Sequence, residues 1–188
     1  MFHFVSSGRR NWLSACTLAL ALVPAAAQAD SREYQIKAAF LENFIQFVTW
    51  PSNAFANNDA PFCIGVLGED PFGAALEQTV SGEAVDHHKV VVQRLRRIED
   101  CKECQMIFVC RSEKKDLQAI LAKLDSSPVL TVSEMHGFAQ EGGAINFYLE
   151  GTKLRFEINP VEAQRRKLKI SAQLLNLGKI VEAGAEEK

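Results

Sequence analysis

The side chains in this sequence that could do chemistry are few, and the cysteines come first. Cys101 and Cys104 stand at C-x-x-C spacing, with Cys63 upstream and Cys110 just downstream. That spacing suits a zinc site, a redox dithiol or a disulfide. A four-thiolate zinc site needs two such pairs, and the chain has one. A thioredoxin-type dithiol opens a helix after a strand, whereas this one precedes the apolar run Gln105 to Cys110. A structural disulfide is the reading left standing, with three complete pairings of four thiols open.

"GEDPFGAA", residues 68–75, has the glycine spacing of a phosphate-binding loop after an apolar strand-like run. Ala74 and Ala75 stand where that loop needs Lys and Ser or Thr, and Glu69 and Asp70 would face the phosphates. The stretch is expected instead to turn a strand into a helix, with Gly68 at the turn, Asp70 as cap and Pro71 in the first helical turn. Loops at the carboxyl ends of parallel strands also bind ligands, which keeps Glu69, Asp70 and Phe72 as binding candidates.

Other combinations are weaker. Ser133 and His136 lie three apart, a poor arrangement for nucleophile and base, and no G-x-S-x-G occurs. Asp86, His87 and His88 precede a strand in which neighbouring histidines point to opposite sides, and H-E-x-x-H is absent. No catalytic residue, metal ligand or cofactor is therefore assigned. In "KLRFEINP", Arg155, Glu157 and Asn159 alternate with Leu154, Phe156 and Ile158. Period two puts the three polar residues on one face. That face is either the wet side of an edge strand or, with Asn146 on the partner strand, a recognition surface.

Placing these residues is the task of the surrounding elements. A helix is predicted from Glu33 to Trp50, with apolar positions at Ile36, Ala39, Phe40, Phe44, Phe47 and Val48. Such a stripe is more often core than surface. Strand-like runs at 62–67, 89–93, 105–110 and 128–132 alternate with helix-like segments at 71–80, 95–101 and 113–124. The runs are continuously apolar, which predicts an α/β fold with a mostly parallel sheet sandwiched by helices, flavodoxin-like in its layering. Segments 144–149 and 153–158 flank Glu150-Gly151-Thr152 and read as a β-hairpin added to the sheet. Helical segments at 160–168 and 171–183 close the fold, and residues 185–188 read as a disordered tail.

The N-terminus has Arg9 and Arg10, an apolar stretch from Trp12 to Val23, and Ala27-Gln28-Ala29. These are the parts of a secretory signal peptide over residues 1–29, cleaved after Ala29. Leu13-Ser14-Ala15-Cys16 resembles a lipoprotein cleavage site, but the apolar segment before Cys16 is too short for that reading. One domain over residues 30–184 follows. With 21 Lys and Arg against 23 Asp and Glu in the full chain, losing Arg9 and Arg10 moves the formal charge from -2 to -4. Nucleic acid is disfavoured as a partner. No later apolar run spans a bilayer, so the product is expected in the periplasm of a Gram-negative cell.

Taken in order, "YQIKAAFLENFIQFVTWP", "PFCIGVLGEDPFG", "CQMIFV", "PVLTVSEMHGFAQEGGAINF" and "LRFEIN" resemble the YfiR-like family of periplasmic regulators. The resemblance implies an α/β sandwich, often a homodimer, without catalysis. It implies repression of an inner-membrane diguanylate cyclase through that enzyme's periplasmic sensor domain, with an outer-membrane peptidoglycan-binding lipoprotein sequestering the repressor. It also implies a disulfide between Cys63 and Cys104, with Cys101 as the rival partner of Cys63. A second bridge found in some relatives has no counterpart here, because the segment from Gly137 to Ile145 holds no cysteine. Phe40, Phe44, Phe47 and Trp50 on the first helix are then candidates for a dimer or partner surface. The alternative is a small-molecule sensor with an unrelated partner.

Overall fold

A computed structural model describes residues 25–182, with side chains from Ser31 onward. The expected leader, apart from the backbone of 25–29, and the expected tail at 185–188 lie outside the described residues. The elements in chain order are α1 (Ala25–Phe47), β1 (Val48–Thr49), β2 (Phe62–Leu67), α2 (Ala75–Val80), β3 (Ala84–Val85), β4 (His88–Leu95), β5 (Met106–Val109) and α3 (Leu117–Leu124). Then come β6 (Leu130–Ser133), β7 (Ile145–Glu150), β8 (Lys153–Ile158), α4 (Pro160–Arg165), β9 (Lys169–Ile170), α5 (Ala172–Leu177) and β10 (Lys179–Ile180).

The main sheet has eight strands in the order β10-β8-β7-β6-β5-β2-β4-β3. Five of them, from β4 to β7, are mutually parallel. The β7–β8 hairpin is antiparallel and sits inside the sheet, because β10 pairs beyond β8. This is the mixed, mostly parallel α/β architecture that the apolar runs predict. Residues of β2 and β5 are buried on both faces, as the continuous Val, Ile and Phe content requires. One face carries Phe62, Ile64, Val66, Phe108 and Val132 under α1. The other carries Leu67, Ile107 and Val109 under α3.

Five local expectations are corrected. Helix α1 ends at Phe47, because Val48 and Thr49 pair antiparallel with Ile170 and Lys169. β-branched residues close to Pro51 favour the extended form there. The buried stripe of α1 is Ala38, Leu41, Phe44 and Ile45, with Lys37 in line, while Ile36 and Ala39 face outward. Helix α2 begins only at Ala75, and the Asp70 carboxylate accepts from the Phe72 amide at 2.8 Å, capping a turn rather than the helix. The closing helix stops at Leu177, and Lys179–Ile180 becomes a strand. Gly178 permits this: a Cβ there would lie 2.7 Å from carbons of Ile158 and Phe156. The segment 95–101 contains only the 3-10 turn Ile98–Asp100, since Leu95 completes β4.

Phe44 was a candidate for the surface and is instead wholly buried, stacked on Phe147 at 5.7 Å and edge-on to Phe156 at 5.2 Å. Phe40 is half-buried on the same two rings, and Phe47 packs half-buried against that core. Trp50 is half-buried, edge-on to Phe62 at 4.9 Å with its Nε1 donating to the Gln105 carbonyl. Burial of this kind predicts that Phe44→Ala costs about 3–5 kcal/mol in urea denaturation. Leu177→Ala, at a residue 68% exposed, should change stability by less than about 0.5 kcal/mol.

Candidate functional site

At the carboxyl end of the parallel strands the register aligns Leu67, Val109, Ser133, Asn146, Glu157 and Lys179 in one row across the sheet. Residues paired in register share a face, so the row passes from apolar to polar at Ser133. Strand β7 runs past the end of β6, since only Ile145 and Asn146 pair with it. Beside this overhang lies a cavity of about 980 Å³. Phe147, Leu149 and Leu154 form its apolar wall, and Lys37, Glu134, Gln140, Asn146, Glu157 and Lys179 are among its polar residues.

The deepest of these charges belong to Lys37 and Glu134, whose side chains are 2% and 3% exposed. Lys37 Nζ binds both Glu33 and Glu134 and sits over the Tyr34 ring. Glu134 also accepts from the Tyr34 hydroxyl at 2.8 Å and from Arg111 Nε at 3.0 Å. Burial, and then the hydrogen bond to the Glu134 carboxylate, push the Tyr34 hydroxyl above the usual phenol range, so it stays a donor. A buried carboxylate satisfied by three donors is a structural clamp rather than a free base. It fixes the middle of α1 to the end of β6.

On the other side of the overhang, Glu157 is 7% exposed and accepts from Gln140 Nε2 and Lys179 Nζ, both at 3.2 Å. That contact sets the orientation of the Gln140 amide, leaving its Oε1 aimed away from Glu157 and without a partner. Asn146, 3% exposed, has an unpartnered Oδ1 as well. Buried amide oxygens are normally satisfied, and both of these belong to residues that line the cavity. The wall that carries Gln140 is the β6–β7 connection. It is pinned by Asn159 Nδ2 on the Ala139 carbonyl at 2.8 Å and by Arg166 Nη2 on that of Gly142 at 3.2 Å.

Of the sequence candidates, the structure thus brings Asn146 and Glu157 together, directly opposite each other. Asn159 is fully buried and serves as N-cap of α4, accepting from the Glu162 amide, so it positions the wall rather than facing a ligand. Arg155 lies two residues nearer the hairpin tip, exposed, and pairs with Glu150 at 3.2 Å. Glu69, Asp70 and Phe72 lie apart from the cavity, at the end of β2. Asp70 pairs with Arg94 at 2.9 Å, and Phe72 is core, edge-on to Phe108 and Tyr34. The crevice between β2 and β5 is filled from within. Gly68 has φ +96, and a Cβ on it would lie 2.2 Å from Ser112 Oγ, which accepts from the Glu69 amide. Ser133 donates to the Val109 carbonyl and is not aligned with any base. His88 stacks on Phe55 at 3.8 Å, and no group of three or more His, Cys, Asp or Glu suited to a metal occurs among the described residues.

All four described cysteines are thiols, and three gather on the α3 side of the sheet. Cys63 and Cys104 have their sulfurs 3.2 Å apart, and Cys101 lines a cleft together with Cys104. Either sulfur of the Cys63–Cys104 contact can donate; hydrogen bonding within the cluster raises Cys104 above the ordinary thiol range and lowers Cys63 and Cys101 below it. Cys110 stands apart, its thiol pushed up to about 12 by burial and then by nearby acids.

Comparison with known proteins places this architecture. The family model described as YfiR/HmsC-like matches residues 34–179. The chain belongs to that family. Among solved structures, a conserved domain protein from Vibrio cholerae O1 biovar El Tor is similar in fold, with a TM-score of 0.54 at 8% identity. The similarity covers 78% of this chain and 59% of the solved one, so the chain spans well under two thirds of that protein. No curated protein matches. The family region begins at Tyr34 and ends at Lys179, so the Glu134 clamp and the Asn146–Glu157 wall both lie within it.

Sequence reasoning missed Lys37, Glu134, Gln140 and Lys179. Lys37 had a readable signal: it occupies the helical stripe 37, 41, 44, 48, where a charge needs a buried partner. The other three depend on the path of the β6–β7 connection and on β10, for which no periodicity speaks. The clamp predicts that Lys37→Met costs about 3 kcal/mol in chemical denaturation, by stranding the buried Glu134. Adding Glu134→Leu should recover part of that loss, a coupling of about 1 kcal/mol or more in the double-mutant cycle.

Proposed function

We propose that this chain is an exported, non-catalytic regulator that represses an inner-membrane diguanylate cyclase by binding its periplasmic sensor domain. The family match over residues 34–179 carries the reading. The chemistry of the cavity agrees with it, because its most buried acids, Glu134 and Glu157, are each held by a cation and amide or hydroxyl donors rather than poised against a substrate. No helix among the described residues is long and apolar enough to cross a membrane, in keeping with a chain released after export. An outer-membrane peptidoglycan-binding lipoprotein sequesters the repressor in this scheme, which releases cyclic di-GMP synthesis and biofilm formation. The active form is a homodimer.

The test is cellular cyclic di-GMP in a deletion strain, complemented with the full gene or with one lacking residues 2–29. The level should rise on deletion and fall back only with the exported protein. An unchanged level after deletion would remove the repressor role.

A second reading, a small-molecule sensor, draws on the unpartnered Gln140 and Asn146 oxygens in the cavity. Donor-bearing ligands of low molecular weight should raise the melting temperature, and Asn146→Leu should abolish that shift. A broad thermal-shift screen without any stabilising compound would count against it.

A further inference from the structure

The cysteine cluster differs from an ordinary buried disulfide pair in having a third sulfur on its solvent side. Cys63 and Cys104 are 7% and 5% exposed, whereas Cys101 is only half-buried. A cleft of about 260 Å³ reaches Cys101 and Cys104 between Ala54, Phe55, Lys102 and Pro128, and Cys63 does not line it. An oxidant arriving from solvent therefore meets Cys101 first. Cys104 lines that cleft together with Cys101 and lies 3.2 Å from Cys63 Sγ. Thiol–disulfide exchange requires a thiolate to reach a disulfide sulfur, so access and adjacency set the order of events.

We infer that Cys101 is the entry thiol of a three-cysteine relay that accepts oxidising equivalents from an external disulfide, small or protein-borne, and passes them inward to form the Cys63–Cys104 bond. The relay rests on that pairing. In the first step the Cys101 thiolate attacks the external disulfide, forming a mixed disulfide and releasing one external thiolate. Cys104 then attacks Cys101 Sγ, its proton passing to the departing external thiolate, so that the Cys101–Cys104 bond forms and the second external thiol is released. Finally the Cys63 thiolate attacks Cys104 Sγ and frees Cys101 as a thiolate. Cys63 and Cys104 lose two electrons and two protons in all. The external disulfide gains them as two thiols, and Cys101 ends as it began. The C-x-x-C spacing thus serves the passage of a bond rather than its final place. Cys110, 2% exposed, takes no part.

The experiment starts from the reduced, exported chain and adds oxidised glutathione without denaturant, with disulfides mapped by peptide mass spectrometry over time. The parent should end with Cys63 bonded to Cys104. Cys101→Ser should reach the same product at least about tenfold more slowly. Cys104→Ser should accumulate glutathione on Cys101, and Cys63→Ser should stop at the Cys101–Cys104 bond. Circular dichroism of each reduced variant verifies folding, with Cys101→Ala as a second variant of the entry position. Oxidation of both Cys101 variants at the parent's rate, or glutathione on Cys63 in Cys104→Ser, would overturn the relay. A parent that ends with Cys101 bonded to Cys104 would overturn the pairing and, with it, the last step.

Discussion

A lysine with almost no exposure to water, Lys37, is the constraint around which the functional end of this protein is arranged. An ammonium taken out of water demands compensation, and Glu33 from its own helix together with Glu134 from the end of β6 supply it. Because Glu134 also holds Tyr34 and Arg111, one carboxylate joins α1, the end of β6 and the segment after β5. The aromatic packing of Phe40 and Phe44 on Phe147 and Phe156 continues the same attachment toward the hairpin. Helix α1 is thereby held over the sheet, and the overhang of β7 has a floor.

This arrangement explains why the ligand-like space is not where an open α/β sheet ordinarily offers it. The connections of β2 and β5 leave on opposite faces, which makes a crevice between them the expected place. Ser112 and Glu113 close that crevice against Gly68. The space reopens three strands away, where β7 outruns β6 and the connection before it is pinned by Asn159 and Arg166. The charges at the rim of that space pair with one another.

The opposite face has a different economy. There the sheet buries Cys63 and Cys104 beside Leu95 and Ile107, and Cys101 at the margin is the most exposed of the three. In a compartment that oxidises thiols, the cluster is a place where folding and redox state meet. A loop of forty-one residues between Cys63 and Cys104 would lose conformational freedom on closure, favouring the folded chain by a few kcal/mol, roughly.

The sequence alone determined the layered α/β class, the parallel strands, the hairpin at 145–158 and the family, because continuous apolar runs, turn glycines and ordered motifs are local signals. It also brought Cys63, Cys101 and Cys104 forward, and Asn146 with Glu157 as partners across a hairpin, since period-two alternation survives folding. Tertiary structure decided the rest. Which stripe of α1 faces inward was set by the sheet beneath it, so Phe44 went to the core and Ile36 to solvent. Asp70 capped a turn and paired with Arg94 because β4 lay alongside. The cavity itself is made by a strand longer than its neighbour and by Lys37, Glu134 and Lys179 arriving from distant parts of the chain. Their meeting depends on strand order and length of overhang, which no short stretch of sequence encodes.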